Sequence, residues 1–304
     1  MFTFRNLQKS IDDYKGTFFI TPGTGNPTLL LNDANVLSTV TTATNCRSYG
    51  SIGHIGGSMF ILGGDAASYS SGSWNSNAIW QFDGYVYTAS AYTMAPSNAI
   101  FESGTGNTSS AIYMFGGTQR TTSGNPNTRT YVSNTYAFSN FSNTTATTAF
   151  PVAWSRSACV NFSDTQINII GGNNGTAYQS AFRNFTGAGG AFSTLGATLT
   201  SIMADLPVGM TSSTQSWLLG GGTTFSNIVS WTSSGVKTNT STSLPSVVYK
   251  LQGAAGRNGI VRLADSTSIR EWDGTTLSVN SNAIGSGTGY VYSFNTPPAI
   301  STPT

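Results

Sequence analysis

Hydrophobic residues fall in short runs separated by glycine, serine and asparagine, and one arrangement of runs recurs. Pro151 to Gly172 shows it most clearly. A small-residue segment led by an arginine (Arg156-Ser157-Ala158-Cys159-Val160) is followed by a polar turn at Ser163-Asp164. A second segment, Ile167-Asn168-Ile169-Ile170, then closes on Gly171-Gly172. Two hydrophobic runs around a short polar turn predict a β-hairpin. A glycine pair directly after a strand marks backbone that takes positive φ or lies close to a neighbour.

The pair returns at Gly63-Gly64, Gly116-Gly117 and Gly221-Gly222, with degenerate copies ending near Gly23 and Asp265. Successive copies lie roughly 41 to 55 residues apart, the range of propeller blades. After each copy comes a variable loop and a third strand with aromatics, such as Ile79-Trp80-Gln81-Phe82 or Ile269-Arg270-Glu271-Trp272. Two of these strands run into Asp-Gly (Asp83-Gly84, Asp273-Gly274), which suits a type I′ turn. A Thr/Ser-rich fourth strand then ends near Pro96, Pro151, Pro207 or Pro245. Four turn-linked strands per unit make a blade. The N-terminal copy lacks a first strand, and Tyr290-Val291-Tyr292-Ser293-Phe294 is a first strand with nothing after it. Pairing them completes a blade and removes an open edge. The expectation is an all-β, six-bladed propeller over residues 15–295, with an N-terminal arm (1–14) and an extended C-terminal tail (296–304).

The repeated Gly-Gly, the arginines at Arg47 and Arg156 and the downstream aromatics resemble the kelch-type β-propeller family over nearly the whole chain. The chain departs from that pattern where a tryptophan late in the fourth strand is missing and where the first and last blades lack Gly-Gly. The resemblance implies a fold and leaves function open.

Charged residues are only 8% of the 304, net charge is +2, and the Lys and Arg are scattered singly. A nucleic-acid partner would leave a basic stripe, and there is none. No apolar run approaches the roughly 18 residues of a membrane-spanning helix. Asp12 and Asp13 interrupt the place where a signal peptide needs its apolar segment. Cytoplasmic synthesis without export is expected, with no membrane insertion.

Catalytic chemistry finds little to work with. His54, the one histidine, reads as a turn residue and cannot build a multi-histidine metal site. Cys46 and Cys159 form no zinc pattern and read as structural thiols. Glu102 and Glu271 are the only glutamates, and Asp83, Asp164 and Asp273 fall in turns. No catalytic residue, cofactor or metal is expected. Recognition is better supplied. The loops after the glycine pairs carry Tyr69, Trp74, Arg120, Arg129, Tyr131, Tyr178 and Phe225 amid Ser, Asn and Gly, a composition suited to contact surfaces.

A β protein rich in Gly, Thr and Asn and poor in charge is similar in composition to structural proteins of bacteriophage particles. The expected function is therefore a non-enzymatic virion component at a tail or capsid surface. Its expected partners are other virion proteins, in multiple copies within a symmetric assembly, and it could serve host-surface attachment. The alternatives are a carbohydrate-binding, lectin-like propeller using the loop aromatics and, behind it, a glycan-active enzyme.

Overall fold

The computed structural model describes residues 16–23, 25–43, 49–55, 58–64, 77–82, 86–94, 100, 102–120, 129–139, 142–187, 190–203, 207–221, 225–245, 254–265, 267–284, 288 and 290–293. The expected arm (1–14) and tail (296–304) lie outside these residues.

Six four-stranded antiparallel sheets form a six-bladed β-propeller, with no helix among the described residues. Blade 1 contains β1 (Gly16–Ile20), β2 (Asn26–Asn32) and β3 (Leu37–Ala43). Blade 2 contains β4 (Ser51–Ile55), β5 (Ser58–Leu62), β6 (Ala78–Phe82) and β7 (Tyr87–Thr93). Blade 3 has β8 (Gly104–Asn107) and β9 (Ala111–Phe115). A small hairpin of β10 (Thr118–Arg120) and β11 (Arg129–Tyr131) follows, before β12 (Asn134–Ser139) and β13 (Thr145–Ala149). Blade 4 is β14 (Ala158–Ser163), β15 (Gln166–Ile170), β16 (Gln179–Thr186) and β17 (Ala191–Met203). Blade 5 is β18 (Val208–Ser212), β19 (Gln215–Gly221), β20 (Phe225–Thr232) and β21 (Lys237–Ser243). Blade 6 is β22 (Ala254–Arg257), β23 (Ile260–Asp265), β24 (Ser268–Trp272) and β25 (Leu277–Ala283). The last strand, β26 (Tyr290–Ser293), returns to blade 1.

The second strands are dominated by apolar residues because they are buried on both faces, with one buried polar residue inside β15 (Asn168) and one inside β23 (Arg262). Met59 and Ile61 of β5 pack toward blade 1, while Phe60 and Leu62 pack toward blade 3. The same alternation in β19 sends Leu218 toward blade 4 and Trp217 and Leu219 toward blade 6. One apolar cluster thus fills each of the six junctions. The inner, first strands are built from small residues because they approach closely. A Cβ on Gly256 would collide with the Met210 backbone of the neighbouring blade.

The ring closes as expected. β26 pairs antiparallel with β1, setting Phe18 opposite Tyr292, Phe19 opposite Val291 and Ile20 opposite Tyr290. Across the next junction the Gly50 N–H donates to Tyr290 Oη at 2.8 Å, and His54 Nδ1 lies 2.6 Å from Tyr292 Oη. His54 therefore belongs to strand β4 and the closing seam, not to a turn. The Asp-Gly expectation also needs correction at Asp273. Only Gly274 takes positive φ (101°), whereas type I′ requires it at both central residues. Asp273 Oδ1 instead accepts from the Thr275 and Thr276 N–H groups across the turn.

The outer edges carry few charges, so another device protects them. In every blade the pairing of third and fourth strands shifts register, at Thr28/Leu29, Ala78/Trp80, Asn134/Tyr136, Ala181/Arg183, Asn227/Val229 and Ser268/Arg270. Bulges twist an edge away from the flat geometry that would recruit another strand.

The junction of blades 6 and 1 adds an ion pair. Arg257 donates from Nε and Nη2 to the two Asp33 oxygens at 2.8 and 3.0 Å. This bonding holds the Asp33 carboxyl below its ordinary range. A depressed carboxyl contributes stability above its unfolded-state pKa and loses it as pH falls through the folded value. The stability gap between wild type and Asp33→Asn should be widest at pH 7 and shrink below about pH 4. Urea midpoints measured across that range check it, and a pH-independent gap refutes the assignment.

Candidate functional site

The face carrying the glycine pairs is where chain passes from one blade to the next. After β9, Gly116 and Gly117 take φ of 60° and 109°, and the Gly117 N–H donates to the Trp154 carbonyl at 2.5 Å. In blade 2, Gly64 N–H donates to the Ile100 carbonyl in the same way. The pair exists because the linker to the following blade lies directly over it. A Cβ at Gly63 would stand 2.6 Å from the Ile100 oxygen. In blade 5 the positive-φ pair is Gly220-Gly221, one residue earlier than the sequence spacing suggested.

Just before the first strands of blades 2, 3 and 4 stand three non-glycine residues with positive φ: Tyr49 (60°), Glu102 (59°) and Arg156 (61°). They form a backbone ladder around the ring. Glu102 N–H donates to the Tyr49 carbonyl at 2.9 Å, and Arg156 N–H to the Glu102 carbonyl at 2.6 Å. The Glu102 side chain is buried, 2% exposed, and ion-paired with Arg156 at 3.0 Å; the Thr118 hydroxyl donates to its other oxygen at 3.2 Å. Arg156 thus stitches blade 4 to blade 3. Its structural counterpart in blade 2 is Tyr49, not Arg47, which lies outside the described residues.

Of the residues expected from the sequence to serve recognition, Arg120, Arg129, Tyr131 and Tyr178 lie in blades 3 and 4 beside this ladder. Arg120 and Arg129 occupy opposite register positions in the β10–β11 hairpin. At the hairpin's base Tyr131 is half-buried, its ring against Gly175 of blade 4, where a Cβ would stand 2.7 Å from Cε2. Tyr178 ends the same blade 4 loop and bridges Asn173. That loop is held by its own side chains, with Asn173 Oδ1 accepting from Gly175 N–H and Asn174 Oδ1 from Thr176 and Ala177 N–H. Phe225 begins β20 one blade further on, paired with Gly221. Tyr69 and Trp74 lie outside the described residues.

No protein-family model and no curated protein matches this chain.

Three contributors to this face escaped sequence reasoning. Glu102 and Thr118 looked like ordinary polar residues, and Trp154 is buried beneath the face. The Arg183 guanidinium lies 4.9 Å from the Trp154 ring centre, and burial lowers the Arg183 pKa. Cys159 is a free thiol whose pKa burial pushes up, and Cys46 is outside the described residues. Among the described residues no group of three or more His, Cys, Asp or Glu could hold a metal ion.

Proposed function

We propose that the chain is a non-enzymatic scaffold of a bacteriophage particle, a kelch-type propeller at the tail or capsid surface that recognises neighbouring subunits in a repeated assembly. The observation that carries this reading is the pairing of a rigid ring with a built contact surface. A hairpin bearing Arg120 and Arg129 stands on one face of blade 3, and its Tyr131 is braced on the next blade. Aromatic and arginine anchors on a rigid support are what interfaces use. The bulged edges point to this face, and not to edge pairing, as the route of assembly.

The acids support a non-enzymatic reading. Glu102 is tied to Arg156 and Thr118, while Glu271 accepts from Arg262 and Asn280. Asp265 pairs with Arg270, and Asp164 accepts from Ser109. Each described pair already has a structural use.

The test is mass spectrometry of purified particles from producing cells, with cross-linking to map neighbours. The chain should be a stoichiometric component whose cross-links involve residues 118–131 or 173–178. Its absence from particles sinks the reading. A second reading, carbohydrate recognition by the same face for host-surface attachment, is favoured by the Tyr/Asn/Gly composition around Tyr131 and Tyr178. It requires glycan-array binding that Tyr131→Ala abolishes.

A further inference from the structure

On the opposite side of the ring from the glycine-pair face, a groove of about 490 Å³ opens between blades 3 and 4. It follows from how each outer strand meets the next blade's last turn. Between blades 2 and 3, Asn143 fills the junction, its Oδ1 accepting from Thr93 N–H at 2.8 Å. Between blades 4 and 5, Leu195 packs over Gly235, 3.3 Å from where a Cβ would stand. Between blades 5 and 6 it is Trp217 of the second strand β19 that lies over Gly274, and between blades 6 and 1 the Asn280 and Asn282 amides donate to Asn35. Between blades 3 and 4 the meeting residues are Thr148 and Gly190. Gly190 takes φ of 62°, and a Cβ there would collide with the Thr148 hydroxyl, while a Cβ at Gly187 would stand 2.8 Å from the Asp164 carbonyl oxygen; the groove opens beside these two close contacts.

The lining is chemically consistent. Ser110, Ser139 and Thr145 supply hydroxyls, the Thr147 hydroxyl donates to the Thr135 carbonyl, and the partly exposed Tyr113 ring supplies an aromatic surface with the fully buried Phe185 behind it. The two rings meet edge to face at 5.0 Å, and Tyr113 Oη is fixed by donating to the Gly187 carbonyl at 3.1 Å. Among the described residues no charged side chain lines the groove. The volume lies within the roughly 300–1,000 Å³ of small-molecule sites. An ionic ligand would lose hydration without a counter-charge. A neutral polyol can exchange hydrogen bonds with hydroxyls, each both donor and acceptor, while its C–H surface rests on the Tyr113 ring.

We propose that this groove is a binding subsite for a neutral saccharide of one or two sugar units. It is separate from the glycine-pair face and does not rest on the scaffold reading.

The experiment is saturation-transfer NMR with cellobiose, maltose, lactose and N,N′-diacetylchitobiose, followed by calorimetry on any disaccharide that responds. At least one should bind. Thr145 is exposed on β13, so Thr145→Trp fills the groove without entering the core. It should weaken binding at least tenfold and leave the unfolding midpoint unchanged. Tyr131→Ala, on the other face, should bind as wild type. Silence from all four sugars at about 10 mM, well above the millimolar range of weak affinity, overturns the proposal. So does full binding by Thr145→Trp, and so does loss of binding in Tyr131→Ala, which moves recognition to the glycine-pair face.

Discussion

A chain ending at residue 289 will not form a closed, monomeric propeller. Its loss removes the inner strand of blade 1 and packing from both junctions that blade makes. Tyr290 belongs to the cluster shared with blade 2, and Val291 to the cluster shared with blade 6. Burying one large apolar side chain contributes about 1.5–3 kcal/mol, so these two account for about 3–6 kcal/mol. That is a large share of the roughly 5–15 kcal/mol typical of a native protein. The kinetic outcome is worse, because β1, buried at all five residues (Gly-Thr-Phe-Phe-Ile), becomes an unpaired apolar edge. Size-exclusion chromatography should find the truncated protein in high-mass aggregates, with the soluble yield sharply reduced. Moving residues 288–293 ahead of residue 16 through a short flexible linker should restore a monomer, since the register with β1 can be remade. A truncated chain that elutes as a monomer with wild-type unfolding would show that β26 is dispensable.

The ring was legible in the sequence for a reason that lies in its packing. Both faces of the second strands are covered, so strands such as Met59–Leu62 and Ala111–Phe115 appear as unbroken apolar runs. The glycine pairs mark where linkers cross, a backbone requirement that side-chain variation cannot disguise. The ladder residues left no comparable trace. One structural position holds Tyr49, Glu102 and Arg156 in successive blades, and no residue type recurs there because the bonds run through the backbone. Arg156 meets its partner 54 residues away, a distance no local pattern encodes. The β10–β11 hairpin was hidden in a stretch of Thr, Asn and Arg without apolar alternation. To each residue expected to serve recognition the sequence could assign a loop but not a neighbour. It could not show that Tyr131 of blade 3 rests on Gly175 of blade 4. The groove was equally invisible, because its walls come from stretches far apart in the chain, among them Tyr113, Thr145 and Gly187.

Replacing Glu102 should have the largest effect of any single change at the glycine-pair face. Its carboxylate is almost fully buried, while the Arg156 side chain is 29% exposed. Removing one partner of a buried ion pair leaves the other charge uncompensated, at about 3–5 kcal/mol. The exposure of Arg156 lets water replace part of the interaction, so Glu102→Ala should cost about 3 kcal/mol, the lower end of that range. The shift per kcal/mol shrinks with chain length, roughly 2–4 °C at 150–250 residues, so for this longer chain the unfolding midpoint should drop by about 6 °C. The backbone supplies an internal control. At φ of 59° any residue with a Cβ is strained by about 1–2 kcal/mol relative to glycine. Glu102→Gly loses the same ion pair but sheds that strain, so it should be milder than Glu102→Ala by about 1 kcal/mol. In a double-mutant cycle, Arg156→Ala should do little further damage once Glu102 is alanine, because the two act through one contact. Additive losses would mean that Glu102 is held by something other than the Arg156 bridge. Equal stability of the alanine and glycine variants would mean that the left-handed turn carries no strain for the ion pair to offset.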